Sequence, residues 1–279
     1  MYKILFTKEL AKEIKLFVID APKIARSCQP GQFIILRINK AGERIPLTIY
    51  DYDAQKGTVS IIFQEVGKTT RQLGKLKTGD YLQDFVGPLG KHIEVTGSDK
   101  RIFCVAGGVG AAPIYPKAKA LNKSGAEITS IIGARTKDLV ILEQEMNAIS
   151  NQLYICTDDG SYGEQGFVTK VLERLLETQE KPDLVIAIGP LPMMKASCAV
   201  TKKFDVPTLV SLNTIMVDGT GMCGSCRVTV GGKTKFACVD GPTFDGHLVD
   251  FDELMQRQVR FVEEEKIALE RYTSKCKCG

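Results

Sequence analysis

The sequence predicts a β-barrel plus α/β fold: a small antiparallel barrel, a doubly wound domain with a parallel sheet, and a short C-terminal segment with several cysteines. Three observations support this order. Short β-branched runs recur about every ten residues in 1–97. Strands and helices then alternate in 98–212, and closely spaced cysteines follow in 213–279. A chain of 279 residues with 44% hydrophobic content is long enough for two separate cores.

The first 97 residues carry the pattern of antiparallel strands. Runs of β-branched and aromatic residues are separated by turn pairs such as Pro30-Gly31 and Gly87-Pro88. We expect strands over residues 13–19, 33–38, 58–66 and 81–86. Spacing this regular predicts a small barrel.

The rhythm changes to strand then helix after residue 100. The apolar runs RIFCVA, EITSIIGA, LYICTDD, DLVIAIG and PTLVSL predict five buried strands. Helices are expected between them over residues 112–122, 139–149, 168–177 and 193–203. Alternation of this kind predicts a parallel sheet covered on both faces.

The segment after residue 213 contains an unusual ligand spacing. The pattern Asp218-x4-Cys223-x2-Cys226-x11-Cys238 repeats that of a plant-type [2Fe–2S] loop, with a carboxylate where the first thiolate is expected. Nearby glycines let backbone amides turn toward cluster sulfides. We therefore predict an iron–sulfur site with these four residues as ligands. Beyond it, residues 252–272 predict one amphipathic helix.

Cysteines also form zinc sites and disulfides. A zinc site could combine Cys223 and Cys226 with the terminal pair Cys276 and Cys278, but it would leave Cys238 without a role. A disulfide framework is disfavoured by the odd total of nine cysteines. We expect four single cysteines to be inert thiols: Cys28, Cys104, Cys156 and Cys198.

A glycine-rich turn follows the first strand of the second domain. The segment GGVGAAP opens into a helix whose N-terminus would face a bound pyrophosphate, and its candidate contacts are Gly107, Gly108, Gly110 and Pro113. Other strand ends at the same sheet edge carry Arg135, Asp158, Asp159, Gly189 and Pro190. We predict a pyridine-nucleotide site there. Arg135 could meet a 2′-phosphate and Asp138 a ribose hydroxyl, so the choice between NADP and NAD stays open.

Two short segments of the barrel are candidates for a second nucleotide. RIPLT places a cation, a rigid turn and a hydroxyl together, through Arg44, Pro46, Leu47 and Thr48. Residues 70–76 predict a short helix whose start favours an anion, with Gly67, Lys68, Thr69 and Thr70 as candidate contacts. Nicotinamide delivers electrons in pairs, whereas a [2Fe–2S] centre takes one, so some group must convert between the two, and a flavin does this. The barrel is the expected place for it.

The order of barrel, nucleotide domain and cysteine loop resembles the ferredoxin reductase superfamily. Nearly the whole chain is similar to two related families: the electron-transfer subunit of dihydroorotate dehydrogenase, and the small subunit of NADH-dependent ferredoxin:NADP oxidoreductase. The resemblance implies that Thr48 lies near the isoalloxazine and orients it for catalysis, while Gly67 and Thr70 hold the FAD pyrophosphate. Ile45 replaces the family's usual arginine, so Arg44 is assigned the phosphate contact. GGVG and the G-P-x-x-M-M pattern from Gly189 match the nicotinamide segments.

The resemblance also implies a function and partners. Asp218 favours the ferredoxin:NADP oxidoreductase family, because dihydroorotate-type subunits use four cysteines. Electrons would then pass between NAD(H), FAD and the cluster to or from a larger subunit similar to a glutamate synthase small chain. That subunit would carry a second FAD, [4Fe–4S] clusters and the NADPH site, and would exchange electrons with ferredoxin in a bifurcating complex. The alternatives are a dihydroorotate dehydrogenase subunit, and a relay or regulatory module without nucleotide chemistry of its own.

Composition excludes several other classes of protein. The net charge of +4 comes from mixed acids and bases, so we expect no nucleic-acid partner. The longest apolar stretch is broken by glycines and a proline and is shorter than the roughly 18 residues that span a bilayer, so no membrane association is expected. The first ten residues carry charges where a secretion signal would be apolar. We expect a cytoplasmic protein.

Overall fold

The structure is a computed structural model that describes residues 1–94 and 100–275. Cys276 and Cys278, the terminal thiols of the zinc alternative, lie outside the described residues. The chain forms two large sheets, a two-stranded hairpin and a helical C-terminal segment. The described helices do not include one with the length and apolar character needed to cross a membrane.

Seven antiparallel strands form the barrel, in the order β6-β1-β2-β5-β4-β3-β7. The strands at the two ends of this order are separated in the chain by Gln83 alone, and the Gln83 N–H donates to the Arg37 carbonyl at 3.0 Å. The sheet therefore nearly closes on itself, as predicted. Its strands are β1 (Tyr2–Ala11), β2 (Ile14–Asp20), β3 (Phe33–Arg37), β4 (Ile45–Asp53), β5 (Thr58–Gln64), β6 (Tyr81–Leu82) and β7 (Asp84–Leu89).

The prediction of a rigid turn at Pro46 was wrong, because Pro46 lies inside β4 opposite Ile35 of β3. Proline is tolerated there because β4 pairs with β5 only from Ile49 onward, so its missing N–H leaves no ladder bond unmade on that side. Two short helices complete the barrel, α1 (Pro22–Ala25) and α2 (Lys68–Leu73). The second begins two residues earlier than the predicted helix and ends at Leu73, before Gly74.

The second sheet has the order β11-β10-β9-β8-β12-β13-β16, and all pairs are parallel except the last. Its five central strands are those predicted: β8 (Arg101–Gly107), β9 (Glu127–Ala134), β10 (Gln152–Thr157), β12 (Leu184–Ile188) and β13 (Thr208–Ser211). Two short edge strands extend it, β11 (Glu164–Gln165) and β16 (Thr243–Asp245). Because β16 belongs to the cysteine-containing segment, that segment is fixed to the sheet by backbone hydrogen bonds.

Four helices cover the parallel sheet: α3 (Ala111–Lys123), α4 (Glu143–Asn147), α5 (Val168–Thr178) and α6 (Leu191–Lys203). The predicted helix over 139–149 was too long. Leu142 has a left-handed backbone with φ +59°, which breaks the helix, and residues before it form a separate 3₁₀ turn. Ile141, Leu142 and Met146 are all buried, so core packing outweighs the local helix propensity.

The C-terminal segment contains a hairpin of β14 (Arg227–Val230) and β15 (Lys233–Phe236), then helices α7 (Phe251–Gln258) and α8 (Val262–Lys275). One continuous helix was predicted here, but a 3₁₀ turn over Val259–Phe261 separates the two. Leu254 of α7 is 2% exposed, whereas Phe261 is 50% exposed. Of these two apolar residues, only Leu254 belongs to the core.

The barrel and the parallel sheet meet along β4 and α3. The rings of Tyr50 and Tyr115 stack with centroids 5.1 Å apart. Next to them, the Lys119 ammonium pairs with the Asp51 carboxylate at 3.1 Å. These contacts fix the position of the glycine-rich turn at the start of α3 relative to the barrel.

Candidate functional site

The cysteine loop brings two of the predicted ligands into direct contact. The sulfur atoms of Cys226 and Cys238 lie 3.2 Å apart and both side chains are buried. This distance exceeds the roughly 2.05 Å of a disulfide, so both are free thiols. The pKa of Cys238 is raised to about 12, mainly by burial and secondly by the neighbouring Cys226. The Gly221 backbone N–H acts in the opposite direction on the Cys238 sulfur.

The other two predicted ligands form a second pair. The Cys223 thiol is exposed, and its pKa is lowered by hydrogen bonds from the Ser225 hydroxyl and backbone N–H, with a further contribution from the Asp218 N–H. The Asp218 carboxylate accepts hydrogen bonds from the hydroxyl and backbone N–H of Thr220, which lower its pKa. These hydrogen bonds stabilise the anionic, ligating form of each group relative to an unpaired side chain.

This arrangement fits a two-iron cluster. A [2Fe–2S] centre takes two protein ligands on each iron. The loop supplies the buried pair Cys226 and Cys238, and a second pair formed by the half-buried Asp218 and the exposed Cys223. In the described part of the chain, no three His, Cys, Asp or Glu side chains converge on a point that could hold a single metal ion. Gly219, Gly221 and Gly224 all have left-handed φ values between +67° and +83°, as predicted for a loop that turns its amides inward.

The loop packs directly on the barrel beside the RIPLT segment. A Cβ on Gly219 would lie 2.6 Å from the Ile35 side chain, so only glycine permits this approach. Ile35 is the residue that pairs with Pro46 in the β3–β4 ladder. In addition, the Arg44 guanidinium donates to the Asp218 carbonyl at 3.3 Å. Arg44, for which the sequence predicted a phosphate contact, contacts the cluster loop in the structure.

The remaining predicted flavin contacts lie on β4 and at the start of α2. Leu47 and Thr48 are half-buried on β4, and within residues 1–94 and 100–275 the Thr48 hydroxyl has no hydrogen-bond partner. Gly67 has open space within 4 Å of where a Cβ would stand, so a ligand could approach its backbone. The Thr70 hydroxyl accepts the Gly67 N–H at 3.0 Å and caps α2.

One carboxylate in this region was not predicted. Glu43 accepts a hydrogen bond from the Thr69 hydroxyl and pairs with Lys68 at 3.3 Å, so it links the two candidate flavin segments. An exposed glutamate before RIPLT has no sequence signature of this role. The contact becomes visible only when β4 and α2 are placed side by side.

Most predicted glycines of the nucleotide site are needed for close packing, and one leaves its backbone open to a ligand. A Cβ on Gly110 would lie 2.2 Å from the Ile188 carbonyl oxygen. A Cβ on Gly107 or on Gly189 would clash with the Met193 sulfur. These three glycines let the turns after β8 and β12 pack closely. Gly108 differs, because it has φ +56° and nothing within 4 Å of a built Cβ. Its backbone is the part of the turn that is open to a bound nucleotide.

The other predicted contacts follow the strand ends at the same edge of the sheet. Arg135 is exposed, and the exposed Asp159 carboxylate accepts hydrogen bonds from the hydroxyl and N–H of Ser161, which hold its pKa below the usual range. Asp159 therefore shapes its own loop. The other candidates at this edge are Asp158 after β10, Pro190 before α6 and Pro113 in the first turn of α3.

The four single cysteines are buried, as expected of inert thiols. Burial raises the pKa of each of them to about 12, so their reactive thiolate forms are scarce at neutral pH.

Two protein-family models match this chain, one over the cysteine loop and one over the glycine-rich turn. The iron–sulfur cluster binding domain of dihydroorotate dehydrogenase B matches residues 213–250, and the oxidoreductase NAD-binding domain matches residues 104–199. The first range contains all four predicted cluster ligands, and the second contains the glycine-rich turn.

Relatives match over nearly the whole chain. An uncharacterized protein of Clostridium beijerinckii is 53% identical, covering 95% of this chain and 92% of the relative. A dihydroorotate dehydrogenase B (NAD(+)) electron transfer subunit homolog of Thermotoga maritima is 46% identical, covering 95% of both chains. The electron transfer subunit of Geobacillus kaustophilus is 37% identical over 77% of this chain and 84% of its own length.

Solved structures agree with these matches. A chain of the NADH-dependent reduced ferredoxin-NADP oxidoreductase, determined in a study of flavin-based electron bifurcation, superposes with a TM-score of 0.93 and 43% identity over 98% of both chains. A ferredoxin NADP+ reductase from Neisseria gonorrhoeae, with bound FAD and NADP, has a TM-score of 0.59 and 15% identity over 72% of this chain and 89% of its own length. The second likeness shows the fold alone.

The fold and the site define an oxidoreductase subunit with the ferredoxin reductase fold, an NAD-binding domain and an iron–sulfur cluster binding domain. The chain belongs to the family of the dihydroorotate dehydrogenase B electron transfer subunits and their homologues. The resemblance predicted from the sequence is thereby confirmed.

Proposed function

We propose that this chain is the small subunit of a bifurcating NADH-dependent ferredoxin:NADP+ oxidoreductase. It passes electrons between NAD(H), FAD and its [2Fe–2S] cluster to or from a larger subunit. The observation that carries this proposal is the position of β4. Arg44, the residue before this strand, donates to the Asp218 carbonyl, and Pro46 of the strand pairs with Ile35 of β3, which packs on Gly219 of the cluster loop. Farther along the strand, Tyr50 stacks on Tyr115 of α3. One strand therefore borders all three candidate cofactor sites.

Individual residues have distinct tasks in this proposal. The Gly108 backbone admits the pyrophosphate of NAD(H), with Arg135 and Asp158 at neighbouring strand ends. Gly67 admits the FAD pyrophosphate, and the Thr48 hydroxyl, which has no partner among the described residues, orients the isoalloxazine by hydrogen bonding. A bound FAD supplies the conversion between two-electron hydride chemistry and one-electron transfer.

Asp218, Cys223, Cys226 and Cys238 hold the cluster in this proposal. Their two pairs leave the exposed Cys223 side facing solvent, and the Cys226–Cys238 pair faces the protein interior. Because no acid or base is needed for hydride transfer to a flavin, the chain's contribution is to position the reactants and exclude water.

The partner and the compartment are part of the same proposal. The larger subunit is similar to a glutamate synthase small chain and carries a second FAD, [4Fe–4S] clusters and the NADP(H) site, while ferredoxin exchanges electrons through the complex. The whole-chain likeness to a ferredoxin-NADP oxidoreductase chain supports this partner over dihydroorotate dehydrogenase. Asp218 supports it further, since it replaces a thiolate at a ligand position. A reducing cytoplasm suits such a cluster.

An anaerobic titration of the purified chain with NADH tests the proposal. We expect the flavin absorbance to bleach and the cluster to become reduced, without any partner present. A relay module without nucleotide chemistry would show no flavin reduction, and that result would exclude the proposed function.

A further inference from the structure

One hydroxyl of the cysteine loop has the sulfur of a predicted cluster ligand as its hydrogen-bond partner. The Ser225 Oγ atom lies 3.4 Å from the Cys223 Sγ atom. Cysteine binds iron as a thiolate, which carries no proton, so the Ser225 hydroxyl must be the donor when Cys223 is a ligand. In the part of the chain that the structure describes, this hydroxyl has no second hydrogen-bond partner.

The backbone of Ser225 is fixed from two sides. Its carbonyl accepts a hydrogen bond from the Arg257 guanidinium of α7 at 3.2 Å. Gly224, the residue before it, has a left-handed φ of +67°, and the Gly224 carbonyl accepts the Arg227 N–H at 3.3 Å, which closes a turn. The Ser225 N–H also donates to the Cys223 sulfur. The half-buried Ser225 hydroxyl is therefore held next to this sulfur by contacts that do not involve the sulfur itself.

The two buried thiols of the loop lack a donor of this kind. Over residues 1–94 and 100–275, neither the Cys226 nor the Cys238 sulfur is hydrogen-bonded to a side-chain hydroxyl. Cys238 instead has the Gly221 backbone N–H as a donor. Substitution of Ser225 therefore alters a contact to one predicted cysteine ligand and leaves the other two with their own partners.

A hydrogen bond to a ligating sulfur changes the electronic state of a cluster. It draws electron density away from the sulfur, so it stabilises the reduced cluster, which carries one more negative charge. Among the levers that set the reduction potential, a side-chain hydroxyl is one that a single substitution removes without changing a ligand.

We propose that Ser225 is a positioning residue of the cluster, whose hydroxyl donates to the Cys223 thiolate and raises the reduction potential of the [2Fe–2S] centre. The inference rests on the proposed function, because it requires the cluster to be bound. One electron enters or leaves the centre, and the hydroxyl keeps its proton in both states. Arg257 supports this role through its hydrogen bond to the Ser225 carbonyl.

Anaerobic redox titration of the purified chain, followed by electron paramagnetic resonance of the reduced cluster, tests this inference. We expect Ser225→Ala to shift the one-electron equilibrium about tenfold toward the oxidised cluster, which corresponds to about 59 mV. Ser225→Thr keeps the hydroxyl and should retain most of the wild-type potential. Thr234→Ala is the matched control, because this exposed hydroxyl lies on β15 of the same segment, where Thr234 pairs with Thr229.

Resonance Raman spectra provide a second measurement. The stretching bands between iron and cysteine sulfur should shift in Ser225→Ala and stay in place in Ser225→Thr and Thr234→Ala. A change of potential without a change of these bands would mean that Ser225 acts through general packing, and would overturn the inference.

Iron and acid-labile sulfide, measured in every variant, separate this inference from the proposed function. A wild-type chain without a cluster contradicts both. A loaded Ser225→Ala variant with the wild-type potential, or a Ser225→Thr variant that shifts as far as Ser225→Ala, overturns the inference alone. Should Ser225→Ala lose its cluster, Ser225→Gly removes the same hydroxyl and is titrated instead. Loss of the cluster in both variants, but not in Ser225→Thr, would assign the hydroxyl to cluster assembly and overturn its role in the potential.

Discussion

The ammonium nitrogen of Lys117 lies 2.6 Å from the hydroxyl oxygen of Thr243 and 3.3 Å from that of Ser211. Lys117 belongs to α3 of the nucleotide domain, whereas Thr243 begins β16 of the cluster segment. A Cβ on Gly31 of the barrel would lie 3.0 Å from the Lys117 Cε atom. One fully buried lysine therefore lies where all three parts of the chain meet.

The stability contributed by Lys117 should depend on pH. Burial lowers its pKa from 10.5 to about 7, so between these values the unfolded chain binds a proton that the folded chain does not. Stability therefore rises with pH through this window, by up to about 1.4 kcal/mol per pH unit, and is independent of this group below about pH 7. Lys117→Met removes the dependence.

Urea unfolding of the wild type and Lys117→Met in parallel at pH 7 and pH 9 measures this effect. Other titrating groups and the cofactors contribute to both proteins, so the difference between them isolates Lys117. The free-energy difference should shift in favour of the wild type as the pH rises. If the difference in free energy of unfolding between the two proteins is the same at both pH values, burial does not lower the pKa of Lys117.

Gly108→Ala should weaken NAD(H) binding about tenfold or more, because its Cβ would enter the space left for the nucleotide. Gly232→Ala is the matched control. Both glycines have left-handed φ values, +56° and +72°, with nothing within 4 Å of a built Cβ. Each substitution should cost about 1–2 kcal/mol of stability. Equal NADH dissociation constants for the two variants would place the nucleotide elsewhere.

Asp218→Cys should lower the reduction potential of the cluster and change its visible spectrum. A thiolate donates more electron density to iron than a carboxylate does, so it disfavours the reduced state. Redox titration followed by electron paramagnetic resonance measures the change. Thr220→Val serves as the control, because it removes the hydroxyl partner of Asp218 and keeps the carboxylate. An unchanged potential and spectrum in Asp218→Cys would mean that Asp218 only shapes the turn.

Thr48→Val should slow flavin reduction by NADH about tenfold while FAD stays bound, because one hydrogen bond is worth about 1.4 kcal/mol. Thr48→Ser keeps the hydroxyl and should retain most of the rate. Stopped-flow absorbance gives the rates, and the flavin content of each variant gives occupancy. Equal rates in the valine and serine variants would show that the Thr48 hydroxyl has no role in flavin reduction.

Features encoded in contiguous residues were predictable from the sequence. The spacing from Asp218 to Cys238 indicated the cluster loop, and the alternation of apolar runs indicated the five central strands of the parallel sheet. The strand β1 was missed because Ile4 is its only fully buried residue, so no apolar alternation marks it. At Pro46, turn propensity predicted the wrong backbone because pairing with β3 decides it.

Features created by distant residues were not predictable. Lys117 and Thr243 are 126 positions apart, and nothing in the sequence of α3 distinguishes a buried lysine from an exposed one. The contact of Glu43 with Thr69 and the hydrogen bond from Arg257 to Ser225 also depend on tertiary packing. Sequence patterns identified the types of site, and the fold determines which residues complete them.

Iron, acid-labile sulfide, zinc and flavin can be measured in the anaerobically purified chain, together with its absorption spectrum, to establish whether it holds both a flavin and an iron–sulfur cluster. We expect about one FAD, about two irons and about two sulfides per chain, with flavin and iron–sulfur absorbance both present. A colourless protein that contains zinc, and neither sulfide nor flavin, would contradict this expectation.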